Sequence, residues 1–177
     1  MKTFRLAAED FMDAVKYMVE NKEEFKIDAS SIIAGGSSAG AEAVLNAVYN
    51  ERLMFDSLTR YENTKFAGVF SLAGAVVDAR YITQENAAPG VFFHGTEDNL
   101  VPFATAPHHY CDPKLPGYII LDGSKTITDK LKELDSSYLL YSFEGGRHEH
   151  SGMPVDHLPE VFRFFNKVVF NGETIQS

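Results

Sequence analysis

Gly36-Ser37-Ser38-Ala39-Gly40 places a serine at the centre of a Gly-x-Ser-x-Gly pattern. The apolar run Ser31-Ile32-Ile33-Ala34 leads into it, and the helix-favouring run Ala41-Glu42-Ala43-Val44-Leu45-Asn46-Ala47-Val48 leads out. A serine on a sharp strand-to-helix turn presents its hydroxyl as a nucleophile, and the chemistry implied is acyl transfer. Strand and helix fold back on each other at such a turn. Gly36 and Gly40 remove Cβ atoms that would clash, and Gly35, Ala39 and Ala41 add room.

A serine hydroxyl is a weak nucleophile until a base takes its proton. Two later segments offer an acid and a base. Val91-Phe92-Phe93 reads as a fully apolar strand that ends in His94-Gly95-Thr96-Glu97-Asp98-Asn99-Leu100-Val101-Pro102. Ser137-Tyr138-Leu139-Leu140-Tyr141-Ser142-Phe143 reads as a strand that runs into Glu144-Gly145-Gly146-Arg147-His148-Glu149-His150. A serine, an aspartate and a histidine therefore each sit just past the C-terminal end of a predicted strand. In an open parallel sheet those ends share one edge, where ligands bind. The chain order Ser38, Asp98, His148 is the order used by hydrolases of that topology.

In these three segments the sequence resembles the α/β-hydrolase superfamily, in its carboxylesterase and esterase/lipase branch. The matching residues are Ala34 to Ala41 at the elbow, His94 to Pro102 at the acid turn, and Gly145 to Glu149 at the histidine loop. The resemblance implies an α/β fold of three layers, with a mostly parallel sheet flanked by helices. It covers about Phe4 to Val169. Family members carry a His-Gly-Gly-Gly-like loop before the elbow, whose backbone N–H groups supply part of the oxyanion hole. No such motif stands before Ser38. The match is to the C-terminal part of the fold, entered at the helix before the elbow strand.

The resemblance gives Ser38 the role of nucleophile, His148 that of base, and Asp98 that of the acid orienting the imidazole. The N–H of Ala39 is the expected oxyanion donor. Alternatives remain: Ser37 beside the nucleophile, Asp78 or Glu97 as the acid, and His150 as the base. His94, which opens the acid turn, reads as structural. His148, His150 and His157 could suggest a metal, but no carboxylate pattern completes the set. His108 and His109 are adjacent, so their rings are expected to diverge. The implied function is hydrolysis of a small-molecule carboxylic ester through an acyl-serine intermediate, with no cofactor or metal. An acyl peptidase or amidase would use the same triad. A non-catalytic hydrolase-fold module, for binding or assembly, is the reading from a different class.

The elements that must hold these residues follow from periodicity. Leu6, Phe11, Ala14, Val15, Met18 and Val19 lie on one stripe and predict a helix over 4–25. Strands are expected at 31–34, 66–73, 91–93 and 137–143, and helices at 39–50, 124–134 and 157–170. Residues 51–64 read as a solvated connection with some helix. Residues 103–118, with Pro107, Pro113, Pro116, both adjacent histidines and Cys111, read as a loop near the reactive edge. Strands alternating with helices over 177 residues predict one domain. The 31–34 strand is expected to leave an exposed edge. Either the first helix or a second copy of the chain would cover it, the latter giving a homodimer.

A formal net charge of −9 argues against nucleic-acid or anionic-membrane binding. No run of about 20 apolar residues exists to span a membrane. Met1-Lys2-Thr3-Phe4-Arg5 has no secretory hydrophobic core, so the chain is expected in the cytoplasm if this N-terminus is complete. The single cysteine, Cys111, cannot form an internal disulfide.

Overall fold

Four parallel strands form the centre of the molecule, in a computed structural model that describes residues 1–62 and 64–177. Asn63, within the expected 51–64 connection, lies outside the described residues. In chain order the elements are α1 (Lys2–Glu20), α2 (Lys22–Phe25), β1 (Ile33–Ser37), α3 (Ala39–Tyr49), α4 (Glu51–Met54), β2 (Gly68–Leu72), β3 (Ala75–Val76), β4 (Gly90–Gly95), β5 (Thr105–Pro107), β6 (Ile120–Gly123), α5 (Ser124–Glu133), β7 (Tyr138–Phe143) and α6 (Leu158–Phe165). The parallel sheet runs β1-β2-β4-β7, so chain order and spatial order agree. A π-helical turn, Asn166–Phe170, continues α6.

The strands are apolar on both faces because both faces are covered. Val69 and Phe92 meet Val44, Leu45 and Ile127 of α3 and α5. Leu72, Val91 and Phe93 meet Val161, Phe164 and Phe165 of α6 on the other face. The α/β/α layering is as the sequence predicts. Full burial of side chains such as Phe92 and Phe93 contributes on the order of 2–3 kcal/mol each. That burial fixes the register of β4, and with it the position of the acid turn at its end.

Several elements differ from expectation. The first helix breaks at Asn21, whose backbone (φ −108°, ψ 26°) leaves helical geometry. The elbow strand pairs from Ile33 to Ser37 rather than over 31–34. The segment expected as a loop at 103–118 contains β5, which joins β6 and β3 in a small antiparallel sheet. Two or three ladder residues per strand are too few for a period-2 pattern to show in sequence.

The two borders of the main sheet are treated differently. Residues 175–177 lie along β7, where the Tyr138 N–H donates to Ile175 O (2.8 Å) and the Leu140 N–H donates to Ser177 O (2.9 Å). At β1 the edge away from β2 has no strand beside it among the described residues. Ile33, Gly35 and Ser37 are exposed while Ala34 is buried. The expectation that the first helix covers this edge is not met. Ala8 and Met12 of α1 pack instead with Ala47 of α3 and with Met54, Phe55 and Tyr61 of the connection.

Candidate active site

Ser38 sits between β1 and α3 at φ 52°, ψ −125°, a left-handed φ that side chains rarely adopt. Its N–H donates to Leu72 O of the neighbouring strand (2.8 Å), and its carbonyl accepts from the Glu42 N–H in the first turn of α3 (3.0 Å). The serine is thus held from both sides at a strained angle. Gly36 makes the crossing possible: a Cβ there would come within 2.4 Å of the Gly40 backbone. The same need does not hold at Gly40, where an added Cβ meets nothing within 4 Å. Crowding at the elbow is one-sided, because the first residues of α3 cross β1 over Gly36.

Asp98 and His148 arrive on two loops that approach closely. Gly95, at the end of β4, has Gly146 O and Arg147 O within 2.5 Å of where a Cβ would stand. The Glu97 N–H donates to Gly146 O (2.8 Å), and the Gly145 N–H donates to Thr96 Oγ1 (2.9 Å). Ser37, an alternative beside the nucleophile, instead donates its hydroxyl to Ser151 O (2.8 Å). It ties the histidine loop to the elbow.

Within this frame Ser38 Oγ lies 2.8 Å from His148 Nε2, and His148 Nδ1 lies 2.8 Å from Asp98 Oδ2. Asp98 is fully buried and accepts only, so Nδ1 carries the proton and Nε2 is free to accept from the serine. Burial by itself would raise the Asp98 carboxyl. Hydrogen bonds from His94, from the backbone N–H groups of Leu100 and Val101, and from His148 outweigh it and hold the group down to about 2. The carboxylate is thereby fixed as an anion facing the imidazole.

The other residues singled out in sequence are placed elsewhere. The Asp78 carboxylate is bound by the Arg80 guanidinium, which holds its carboxyl below the usual range. Glu97 is exposed. The His150 ring stacks on Phe143 at 3.8 Å, and His157 lies against Tyr141 and Phe93. No metal-holding group of three His, Cys, Asp or Glu occurs among the described residues. The rings of His108 and His109 do not diverge. Their centroids are 4.3 Å apart, because His109 takes φ 53° and folds its ring back.

Two features had no sequence signal. Glu42, one turn into α3, is buried, with Oε1 lacking a hydrogen-bond partner although His108 Nε2 is 3.2 Å away. His94 is fully buried and touches the triad through Asp98, its Nε2 lying 3.4 Å from Asp98 Oδ2. Ala39 is exposed at the first position of α3, where helix geometry leaves N–H groups unbonded and positive. Two cavities of about 580 and 520 Å³ are lined by residues other than Ser38, Asp98 and His148.

The architecture has known counterparts. A solved structure of Thermogutta terrifontis esterase 2 phosphoramylated by tabun superposes with a TM-score of 0.62 at 18% identity, over 92% of this chain and 64% of that one. Arabidopsis thaliana SOBER1 gives 0.54 at 14% identity, over 90% of this chain and 63% of that one. The chain has the α/β-hydrolase fold. A puromycin-hydrolyzing peptidase of Mycobacterium tuberculosis matches at 0.56 and 17% identity, over 92% of this chain but 25% of that one. The chain therefore spans less than two thirds of each of these proteins. A family model described as BD-FAE matches residues 1–84, which include the elbow but not Asp98 or His148. No curated protein matches the sequence.

Proposed function

We propose that this α/β-hydrolase-fold chain carries a serine hydrolase site for carboxylic esters. The observation that carries the reading is the unbroken line Ser38 Oγ–His148 Nε2 and His148 Nδ1–Asp98 Oδ2, each contact 2.8 Å. In this reading His148 Nε2 takes the Ser38 proton as Oγ attacks the ester carbonyl. Asp98 holds the imidazole in the required tautomer and stabilises the imidazolium. The oxyanion that develops is met by the Ala39 N–H at the head of α3. His148 then returns the proton to the leaving alcohol. Water, deprotonated by the same imidazole, releases the acid from Ser38.

One structural neighbour is an esterase and another a puromycin-hydrolyzing peptidase, so an alcohol and an amine are the two leaving groups to compare. An ester is favoured because the described site offers one oxyanion donor. Loss of one donor from a pair costs on the order of 10²–10³ in turnover, and the less reactive amide tolerates that loss less well. An organophosphorus probe is the direct test, since one neighbour is an esterase phosphoramylated by tabun. Intact-mass measurement with a fluorophosphonate should give one adduct on the wild-type chain and none on Ser38→Ala. A folded wild-type chain that takes no adduct would return the molecule to the non-catalytic reading, as a binding or assembly module.

A further inference from the structure

Asp98 is shared by two imidazoles. Its Oδ1 accepts from the N–H groups of Leu100 (2.9 Å) and Val101 (3.0 Å), which leaves Oδ2 to face His148 Nδ1 at 2.8 Å and His94 Nε2 at 3.4 Å. His94 is fully buried, and Phe103 lies edge-on to its ring with centroids 5.6 Å apart. Its Nε2 also stands 3.1 Å from Val101 O, which can only accept, so Nε2 carries a proton. Its Nδ1 stands 2.8 Å from the hydroxyl of Ser124, the buried first residue of α5. A line of polar contacts thus runs from Ser124 through His94 and Asp98 to His148 and Ser38, with the 3.4 Å His94–Asp98 step its longest. It joins the small sheet and α5 to the elbow.

We infer that His94 is a positioning residue for the proposed reaction, with Ser124 fixing its Nε2–H tautomer so that the ring holds Asp98 Oδ2 toward His148. The inference rests on the serine hydrolase reading and adds to it a control on base strength. A carboxylate that also faces the His94 N–H at 3.4 Å presents less negative charge to His148. Removal of that N–H leaves more charge on Oδ2, stabilises the imidazolium, and keeps the base protonated to higher pH. The carboxylate then keeps only its Oδ1 bonds to Leu100 and Val101 to hold its orientation toward Nδ1.

The test is the rate of fluorophosphonate labelling of Ser38 as a function of pH, together with imidazole ¹⁵N spectra of the folded chain. His94→Leu should slow labelling about tenfold, the loss expected of one hydrogen bond, and move the midpoint of the acid limb up by about half a pH unit. His94→Gln can place an amide N–H near the position of Nε2 and should restore both rate and midpoint. Ser124→Ala should move the midpoint in the same direction by less. The wild-type spectrum should show the His94 proton on Nε2.

A folded His94→Leu chain labelled at the wild-type rate, with its midpoint unmoved, would reduce His94 to a packing residue and overturn the inference. So would a spectrum with the His94 proton on Nδ1 alone. If His94→Leu does not fold, His94→Gln and Ser124→Ala decide by the same two readouts. A wild-type chain that takes no label fails the hydrolase reading itself, and the inference falls with it. A labelled wild type with insensitive variants overturns the inference alone.

Discussion

Two serine–imidazole arms meet at one carboxylate, and they differ in almost every property that matters for reactivity. On one arm, Ser38 is partly exposed at φ 52°, and His148 keeps 20% of its side chain accessible. On the other, Ser124 and His94 are both fully buried, the first at the start of a helix and the second inside a strand. The distances are alike, 2.8 Å between hydroxyl and ring nitrogen in each. Hydrogen-bond geometry alone therefore does not make a nucleophile. The Ser38 hydroxyl stands at the head of α3 and is partly open to solvent. The Ser124 hydroxyl has Gly74 O within 3.4 Å and no room at all.

The largest effect expected from this contrast is on labelling. Ser38→Ala should abolish the fluorophosphonate adduct entirely. An adduct mapped to Ser124 by peptide mass spectrometry would break the comparison. Next in size, Asp98→Asn should lower the labelling rate on the order of 10⁴-fold, because the amide favours the wrong His148 tautomer. Single-turnover labelling kinetics measure this directly.

A smaller effect should appear in stability. The Asp98 carboxyl is held near 2 in the fold, against an ordinary value of 3.8. The folded chain thus binds fewer protons than the unfolded chain between these values, and stability falls as pH falls through that window. The contribution, fully present above about pH 4, is about 2 kcal/mol. Urea titrations from pH 5 down to pH 2 should show a steeper loss for the wild type than for Asp98→Asn. Equal slopes would mean that the carboxylate is not selectively stabilised. The smallest effect belongs to Ser37→Ala, which removes the bond to Ser151 O and should slow labelling roughly tenfold or less, with the acid limb unmoved. A larger loss, or a moved limb, would place Ser37 closer to the chemistry than a tether.

Much of the site was legible because its chemistry is local. The Gly-x-Ser-x-Gly turn, the apolar run into His94-Gly95 and the glycine pair before His148 each mark a strand end by composition alone. The main sheet was legible for the same reason, since strands covered on both faces read as continuous apolar runs. The small sheet was not. β3 and β5 have two and three residues, and Thr105-Ala106-Pro107 carries no strand pattern. The buried Glu42 looked like any polar residue on an amphipathic helix. The proximity of the His108 and His109 rings depends on a left-handed φ at His109, which the residue type does not announce.

The sequence by itself determined the layering of the fold, the three residues set at the strand ends and their order along the chain. It did so because burial periodicity and turn chemistry act over a few residues. Tertiary structure alone decided which of the aspartates and histidines meet. It buried Asp98 while exposing its neighbour Glu97, and it turned His150 onto Phe143. It also brought His94 to the same Asp98 oxygen that faces His148 and left the outer edge of β1 without a strand beside it among the described residues. These outcomes depend on the close approach of Gly95 to the histidine loop and on the absence of a strand beyond β1 among the described residues. Both are set by how segments distant in the chain pack, which no local pattern encodes.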